Sequence, residues 1–109
     1  MENHFNSVEE IDQWIDDKPL ALLYIFGERC SVCHGLQPQV QNVIERYPKV
    51  EMKQVNVNKV PDVAGRFSIF TVPVVLLFVD GKEYVREARV VPMEPFEEKI
   101  NKIYTNYLG

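Results

Sequence analysis

Cys30 and Cys33 carry the most reactive side chains of the sequence, and they are its only two cysteines. Ser31 and Val32 separate them. Residues three apart face the same side of a helix, so this spacing suits a small disulfide that forms and breaks reversibly. The Cys30 thiol would lie at the N-terminus of that helix, where free N–H groups and the helix dipole favour a thiolate. The pair therefore predicts redox chemistry at sulfur.

The segments on either side of the cysteines predict a buried strand followed by a helix. Residues 20–26 form a continuous apolar run, which is long enough for a strand that is covered on both faces. After the cysteines, apolar residues recur at helical spacing, at Leu36, Val40, Val43, Ile44 and Tyr47. We therefore expect the cysteines where a central strand turns into a helix that runs to about residue 47.

The remaining pattern predicts alternating helices and strands. A capping-box motif at 7–10 begins an N-terminal helix, and further strands are expected at 50–57, 74–79 and 82–90. A short helix is expected within 58–67, and Asp80-Gly81 predicts a hairpin turn. The last helix begins after Pro92, and its aromatic stripe is expected in the core. Apolar strands need cover on both faces, so the sequence indicates a mixed sheet between helices.

Size and charge limit the classes of function. A chain of 109 residues predicts one domain, 1–109. The net charge of -4 and the pI near 5.1 argue against a nucleic-acid surface. No apolar run is long enough to span a membrane. The polar, acidic start does not resemble a secretory signal, so we expect a cytoplasmic protein with a working redox pair.

In these features the chain resembles the thioredoxin family over nearly its whole length. The residues that carry the resemblance are Glu-Arg-Cys-Ser-Val-Cys at 28–33, Pro38 in the following helix, Thr-Val-Pro at 71–73 and Asp-Gly at 80–81. The resemblance implies an α/β thioredoxin fold, in which a mixed central β-sheet is flanked by helices on both faces.

The resemblance also implies a role for each residue of the site. Cys30 would attack a disulfide and Cys33 would resolve the mixed disulfide. Pro73 would follow a cis peptide bond that places the backbone of Val72 beside Cys30, where it holds an extended substrate. The implied partners are disulfide-bearing proteins or small thiols and a recycling reductase, with no cofactor and no metal.

Several positions differ from the family pattern. Arg29 stands where most members have Trp, and Ser31-Val32 stands where Gly-Pro is usual. Tyr24 occupies the position of a buried acid that relays a proton to the resolving thiol, and Gln54 aligns with a lysine that often faces this acid. Arg29 either promotes the thiolate or is a solvated loop charge. These differences leave thiol exchange possible but count against fast, general reductase turnover.

His34 completes a Cys-Ser-Val-Cys-His pattern, which is also the attachment motif of c-type haem. A buried strand that runs straight into Cys30 leaves no haem pocket. A zinc site would need both cysteines, His34 and the distant His4. We therefore interpret His34 as a helix-surface residue that tunes the thiols electrostatically.

Three functions follow from these residues. The first is a thiol–disulfide oxidoreductase with a place in electron transport and cell redox homeostasis. The alternative is a binding module that holds partner proteins near Pro73, with redox as a switch. A haem or metal protein is the third. An insulin-type disulfide reduction assay separates the first two, and a colourless protein would exclude haem.

Overall fold

A computed structural model describes residues 4–108 of the chain. Helices and strands follow one another in the predicted order. Their bounds are α1 Val8–Asp17, β1 Leu20–Phe26, α2 Ser31–Ile44, β2 Glu51–Asn56, α3 Asp62–Phe67, β3 Val74–Val79, β4 Lys82–Ala88 and α4 Met93–Leu108. Ser7 caps α1, because its hydroxyl accepts the Glu10 N–H at 3.2 Å.

Three elements end earlier than predicted: β2 ends one residue early, at Asn56, and α2 and β4 end earlier by more than that. The helix α2 ends at Ile44, after which the Tyr47 N–H bonds the Ile44 carbonyl at 2.8 Å in a tighter turn. Pro48 follows, and a proline disfavours helical geometry in the residue before it. The strand β4 ends at Ala88 because Arg89 adopts a φ of 65°, which leaves strand geometry.

The four strands form one mixed sheet in the order β2-β1-β3-β4. β1 pairs in parallel with β2, and β3 pairs antiparallel with both β1 and β4. The predicted α/β class with a mixed sheet is confirmed. Within this register Tyr24 on β1 lies between Gln54 on β2 and Val75 on β3.

Helices cover both faces of the sheet, so alternate residues of β1 belong to two different core clusters. Leu20, Leu22 and Tyr24 pack with buried residues of α2 and α4, which include Val40, Val43, Phe96 and Ile100. Ala21, Leu23 and Ile25 pack with buried residues of α1 and α3, which include Ile11, Trp14, Val63 and Phe67. Within residues 4–108, every helix is too short or too polar to cross a bilayer.

Trp14, the single tryptophan, lies on the α1/α3 face of the sheet. Its ring is buried and lies 5.2 Å from the ring of Phe5, measured between centroids. Its indole nitrogen finds no hydrogen-bond partner among the described residues. Trp14 is therefore a packing residue of this face.

The helix α4 places only part of its aromatic stripe in the core. Phe96 is buried and Tyr104 is half-buried, but Tyr107 is 40% exposed. The Tyr107 hydroxyl donates to Asp80 Oδ1 at 3.3 Å, at the hairpin turn. The prediction of an entirely buried stripe is wrong at this residue, because its hydroxyl finds a polar partner at the surface.

Candidate active site

The two cysteines lie at the start of α2 and are bonded to each other. Cys30 is the N-cap residue, and its sulfur accepts the Cys33 N–H at 3.1 Å. Cys30 is half-buried, whereas Cys33 is only 1% exposed. One sulfur thus faces the surface and the other faces the core, and the helix N-terminus favours negative charge on the outer one.

The loop between β1 and the cysteines is held by the segment that follows β2. Asn58 Oδ1 accepts the Glu28 N–H at 2.7 Å, and the Val57 N–H donates to the Phe26 carbonyl at 2.8 Å. A Cβ on Gly27 would lie 3.3 Å from Asn58 Oδ1 and 3.3 Å from Val72 Cγ2. This close approach explains why glycine occupies the position before the loop.

A surface groove brings Cys30 and Pro73 together. Its volume is about 320 Å³, and we call it the cysteine groove; it is lined by Arg29, Cys30, Ser31, Val32, Thr71, Val72, Pro73, Arg89 and Val90. The Val72–Pro73 peptide bond is cis, the conformation that the resemblance implies. Five residues singled out from the sequence beside Cys30 therefore share one surface: Arg29, Ser31, Val32, Val72 and Pro73.

The surface near the cysteine groove exposes large apolar side chains. Val32 is 53% exposed, Val90 is 80% exposed, and Phe70, which directly precedes Thr71, is 94% exposed. Exposed apolar side chains grouped in this way are typical of a surface that binds another molecule.

Tyr24 lies beside Cys33, at the position where the family pattern has an acid. Its side chain is buried, and its hydroxyl donates to the Cys33 carbonyl at 2.6 Å. Burial raises the pKa of Tyr24 to about 12. The hydroxyl therefore stays protonated at neutral pH and acts as a hydrogen-bond donor, not as a base.

A second pocket, which we call the inner pocket, lies on the Cys33 side of the disulfide. Its volume is about 300 Å³, and it is lined by His4, Tyr24, Phe26, Cys33, His34, Gln37 and Gln54. His34 is exposed on α2, as expected. Two imidazoles thus border the pocket that Cys33 also lines.

His4 is distant from the cysteines in sequence but lies with Cys33 at the inner pocket. His4 forms a parallel bridge with Gln54, and the Phe5 N–H donates to the Gln54 carbonyl at 3.1 Å, so the N-terminal segment runs beside β2. Partial desolvation lowers the pKa of His4. Even so, the described residues contain no cluster of three or more ligating side chains that could hold a metal ion.

Arg89 is a residue of the groove that no sequence pattern indicates. Its position 89 falls inside the strand predicted at 82–90, where it looks like any exposed strand residue. Its φ of 65° turns the chain, and its N–H donates to the Pro73 carbonyl at 2.8 Å. This bond attaches the end of β4 to the proline beside Cys30.

Comparison with known proteins decides the family. The sequence model described as Thioredoxin matches residues 3–102. This chain belongs to the thioredoxin family. Thioredoxin-like protein YdfQ of Bacillus subtilis is 41% identical over 104 residues, which cover 95% of this chain and 93% of that protein. Thioredoxin-1 of Saccharomyces cerevisiae is 28% identical over 95 residues, which cover 87% of this chain and 89% of that thioredoxin.

Solved structures agree on the thioredoxin fold. Oxidized mitochondrial thioredoxin 3 from Saccharomyces cerevisiae superposes with a TM-score of 0.79 at 20% identity, covering 91% of this chain and 92% of that one. Membership of the thioredoxin family, together with the Cys30/Cys33 pair, supports a thiol–disulfide oxidoreductase.

Proposed function

We propose that this member of the thioredoxin family exchanges disulfides with protein or small-thiol substrates through Cys30 and Cys33, acting as a single domain over residues 1–109. The observation that carries the proposal is the unequal exposure of the two bonded sulfurs. Cys30 borders an open groove and Cys33 is buried behind it. A substrate can therefore reach the sulfur of Cys30, while the sulfur of Cys33 remains available for the second step.

In the reducing direction the cycle begins with the dithiol. The Cys30 thiolate attacks a substrate disulfide, forms a mixed disulfide and releases one substrate thiolate. Cys33 then attacks the Cys30 sulfur, which closes the Cys30–Cys33 disulfide and releases the second substrate thiol, and the proton lost by Cys33 goes to the leaving group. Two electrons pass to the substrate, and a separate reductase restores the dithiol.

The residues of the cysteine groove position the substrate in this proposal. The backbone at Val72 and Pro73 lies along the groove beside Cys30, where an extended substrate segment could pair with it. Ser31 and Val32 line the groove beside Cys30, and the imidazole of His34 lines the inner pocket. A pair that cycles between dithiol and disulfide suits a reducing compartment, so the proposal includes a cytoplasmic location.

One observation favours the alternative function, a binding module. The buried Tyr24 hydroxyl is committed to the Cys33 carbonyl and supplies no base for Cys33. Slow resolution would prolong the mixed disulfide, and the exposed apolar side chains near the groove would help to hold a partner in place.

Catalysed reduction of insulin by dithiothreitol tests the proposal. The wild-type protein should accelerate the reaction, and Cys30→Ser should abolish the acceleration. A single-turnover measurement should also show the reduced protein losing both thiols as a model disulfide is cleaved. Stable mixed disulfides without turnover would favour the binding module, and no reaction with any disulfide would overturn the oxidoreductase.

A further inference from the structure

Two arginines border the cysteine groove from different elements. Arg29 directly precedes Cys30, and Arg89 follows β4 and is bonded to the Pro73 carbonyl through its N–H. Both side chains are exposed. Positive charge therefore lies on the Cys30 side and on the Pro73 side of the same groove, although the chain as a whole carries a net charge of -4.

The arginines of the groove differ from the other arginines of the chain. Arg46 pairs with Glu97, Arg66 pairs with Asp12, and Arg86 pairs with Glu83. Within residues 4–108, no carboxylate pairs with Arg29 or Arg89. The part of the protein that we describe thus leaves two guanidinium groups unmatched, and both are at the groove.

The nearest acidic residues along the chain do not cancel this charge. Glu87 is already paired with Lys99 on α4. Glu28 is exposed and forms no ion pair with another described residue, and its side chain is not among those that line the groove. The residues that line the groove therefore include two arginines and no carboxylate.

We propose that the cysteine groove selects extended acidic peptide segments, in which carboxylates flank the disulfide-bonded cysteine. The proposal rests on the thiol–disulfide exchange proposed above. Guanidinium groups bind carboxylates through paired hydrogen bonds, which gives geometric as well as electrostatic selection. The apolar side chains of Val32 and Val90 lie in the same groove and would limit the access of water to these ion pairs.

The reaction that reveals this preference is a complete two-electron exchange. A disulfide-linked peptide dimer and the protein dithiol give two peptide thiols and the Cys30–Cys33 disulfide, so no further oxidant or reductant is needed. The peptides carry the charges that are varied, and the rate at which Cys30 and Cys33 are oxidised measures how well each peptide reacts at the groove.

The test compares three disulfide-linked peptide dimers of equal length, with aspartate, serine or lysine on both sides of the cysteine. The reduced wild-type protein should be oxidised about fivefold faster by the acidic dimer than by the lysine dimer, a ratio expected for two exposed ion pairs. Arg29→Gln combined with Arg89→Gln should bring the ratio close to one. The control, Arg46→Gln combined with Arg66→Gln, makes the same change in net charge and should keep the wild-type ratio.

Each outcome separates the two proposals. Equal rates with the three dimers, or a ratio that the Arg29/Arg89 variant retains, would overturn the acidic preference and leave the oxidoreductase intact. No oxidation by any dimer would overturn the oxidoreductase itself. Oxidised glutathione, a small carboxylated disulfide, serves as a further arm. A dependence on Arg29 and Arg89 with that compound alone would overturn the preference for a peptide.

Discussion

Tyr24 stands beside Cys33 in place of the acid of the family pattern. It is buried on β1, and its hydroxyl is used in a bond to the Cys33 carbonyl. The side chains that line the inner pocket include no carboxylate, and two of its polar side chains are the imidazoles of His4 and His34. In the proposed cycle, Cys33 would therefore resolve a mixed disulfide without the acid of the family pattern.

We expect Tyr24→Asp to speed turnover while it destabilises the fold. The new carboxylate could accept the Cys33 proton, but it would replace a buried aromatic ring, at a cost of about 3 kcal/mol in the free energy of unfolding. Insulin reduction measures the rate and urea unfolding measures the cost. As the control, Tyr24→Phe loses only the hydroxyl, should cost about 1 kcal/mol and should not speed turnover. An unchanged rate in Tyr24→Asp would refute the proton-relay argument.

The unequal exposure of the cysteines predicts unequal trapping of substrates. Cys33→Ser should accumulate mixed disulfides through Cys30, because the resolving sulfur is absent. Cys30→Ser should accumulate almost none, because Cys33 is buried and out of reach of a substrate. Mass spectrometry of the trapped adducts gives the attachment site. Adducts mainly at Cys33 would reverse the roles assigned to the two sulfurs.

At the level of elements, the strand–loop–helix unit that carries the cysteines follows from local sequence patterns. The apolar run of β1 predicts its bounds without error, and helical spacing after Cys33 predicts α2. Two residues of the site could not be predicted in this way. Arg89 reaches the groove through a positive φ within an apparent strand, and His4 reaches the inner pocket by pairing beside β2. Both placements depend on tertiary contacts that leave no periodic signal.

The loop before the cysteines depends on close contact between three segments of the chain, and Gly27→Ala tests this contact. The added Cβ would press on Asn58 Oδ1 and on Val72, so we expect a loss of about 1–2 kcal/mol in stability and slower disulfide exchange. The control is Gly65→Ala in α3, where a Cβ meets nothing within 4 Å. It should leave exchange unchanged and add up to about 1 kcal/mol of stability. Equal effects of the two substitutions would contradict the proposed contact.

On the scale of the whole molecule, an ion pair joins the end of α2 to α4. The Arg46 guanidinium bonds both Glu97 oxygens, at 2.6 and 3.0 Å, and the Tyr47 hydroxyl donates to the same carboxylate at 3.1 Å. The hydrogen bond from Arg46 holds the pKa of Glu97 below its ordinary value of 4.5. The native state therefore favours the ionised carboxylate more than the unfolded chain does.

This pair should contribute to acid sensitivity. Its stabilisation is present above pH 4.5 and is lost as the pH falls further, because the unfolded chain takes up the proton first. Between pH 6 and pH 3, the urea concentration at the midpoint of unfolding should thus decrease less for Glu97→Gln than for the wild-type protein. The neighbouring substitution Glu98→Gln serves as the control and should follow the wild-type curve. If the urea midpoints of Glu97→Gln and the wild type decrease equally with pH, the ion pair does not contribute to acid sensitivity.

The alkaline side of the stability curve should depend on Tyr24. Its pKa is 10.0 in the unfolded chain and about 12 in the native state, so the native state retains the proton to higher pH. The contribution of the protonated Tyr24 side chain to the free energy of unfolding is fully present below pH 10, and it is lost as the pH rises toward 12. Urea unfolding at pH 8 and pH 11 should show about 1 kcal/mol more loss in the wild type than in Tyr24→Phe. An equal loss would place Tyr24 in contact with solvent.

The position of Trp14 has a spectroscopic consequence. The only indole of the chain lies on the α1/α3 face of the sheet, whereas Tyr24, which contacts Cys33, belongs to the cluster on the opposite face. Quenching of indole emission by a disulfide requires close approach of the two groups, which the intervening sheet prevents here. We therefore expect indole emission to follow denaturation of the α1/α3 face and to be insensitive to the oxidation state of the cysteines. An unfolding curve that is followed by indole emission can then be compared directly between the dithiol and disulfide forms.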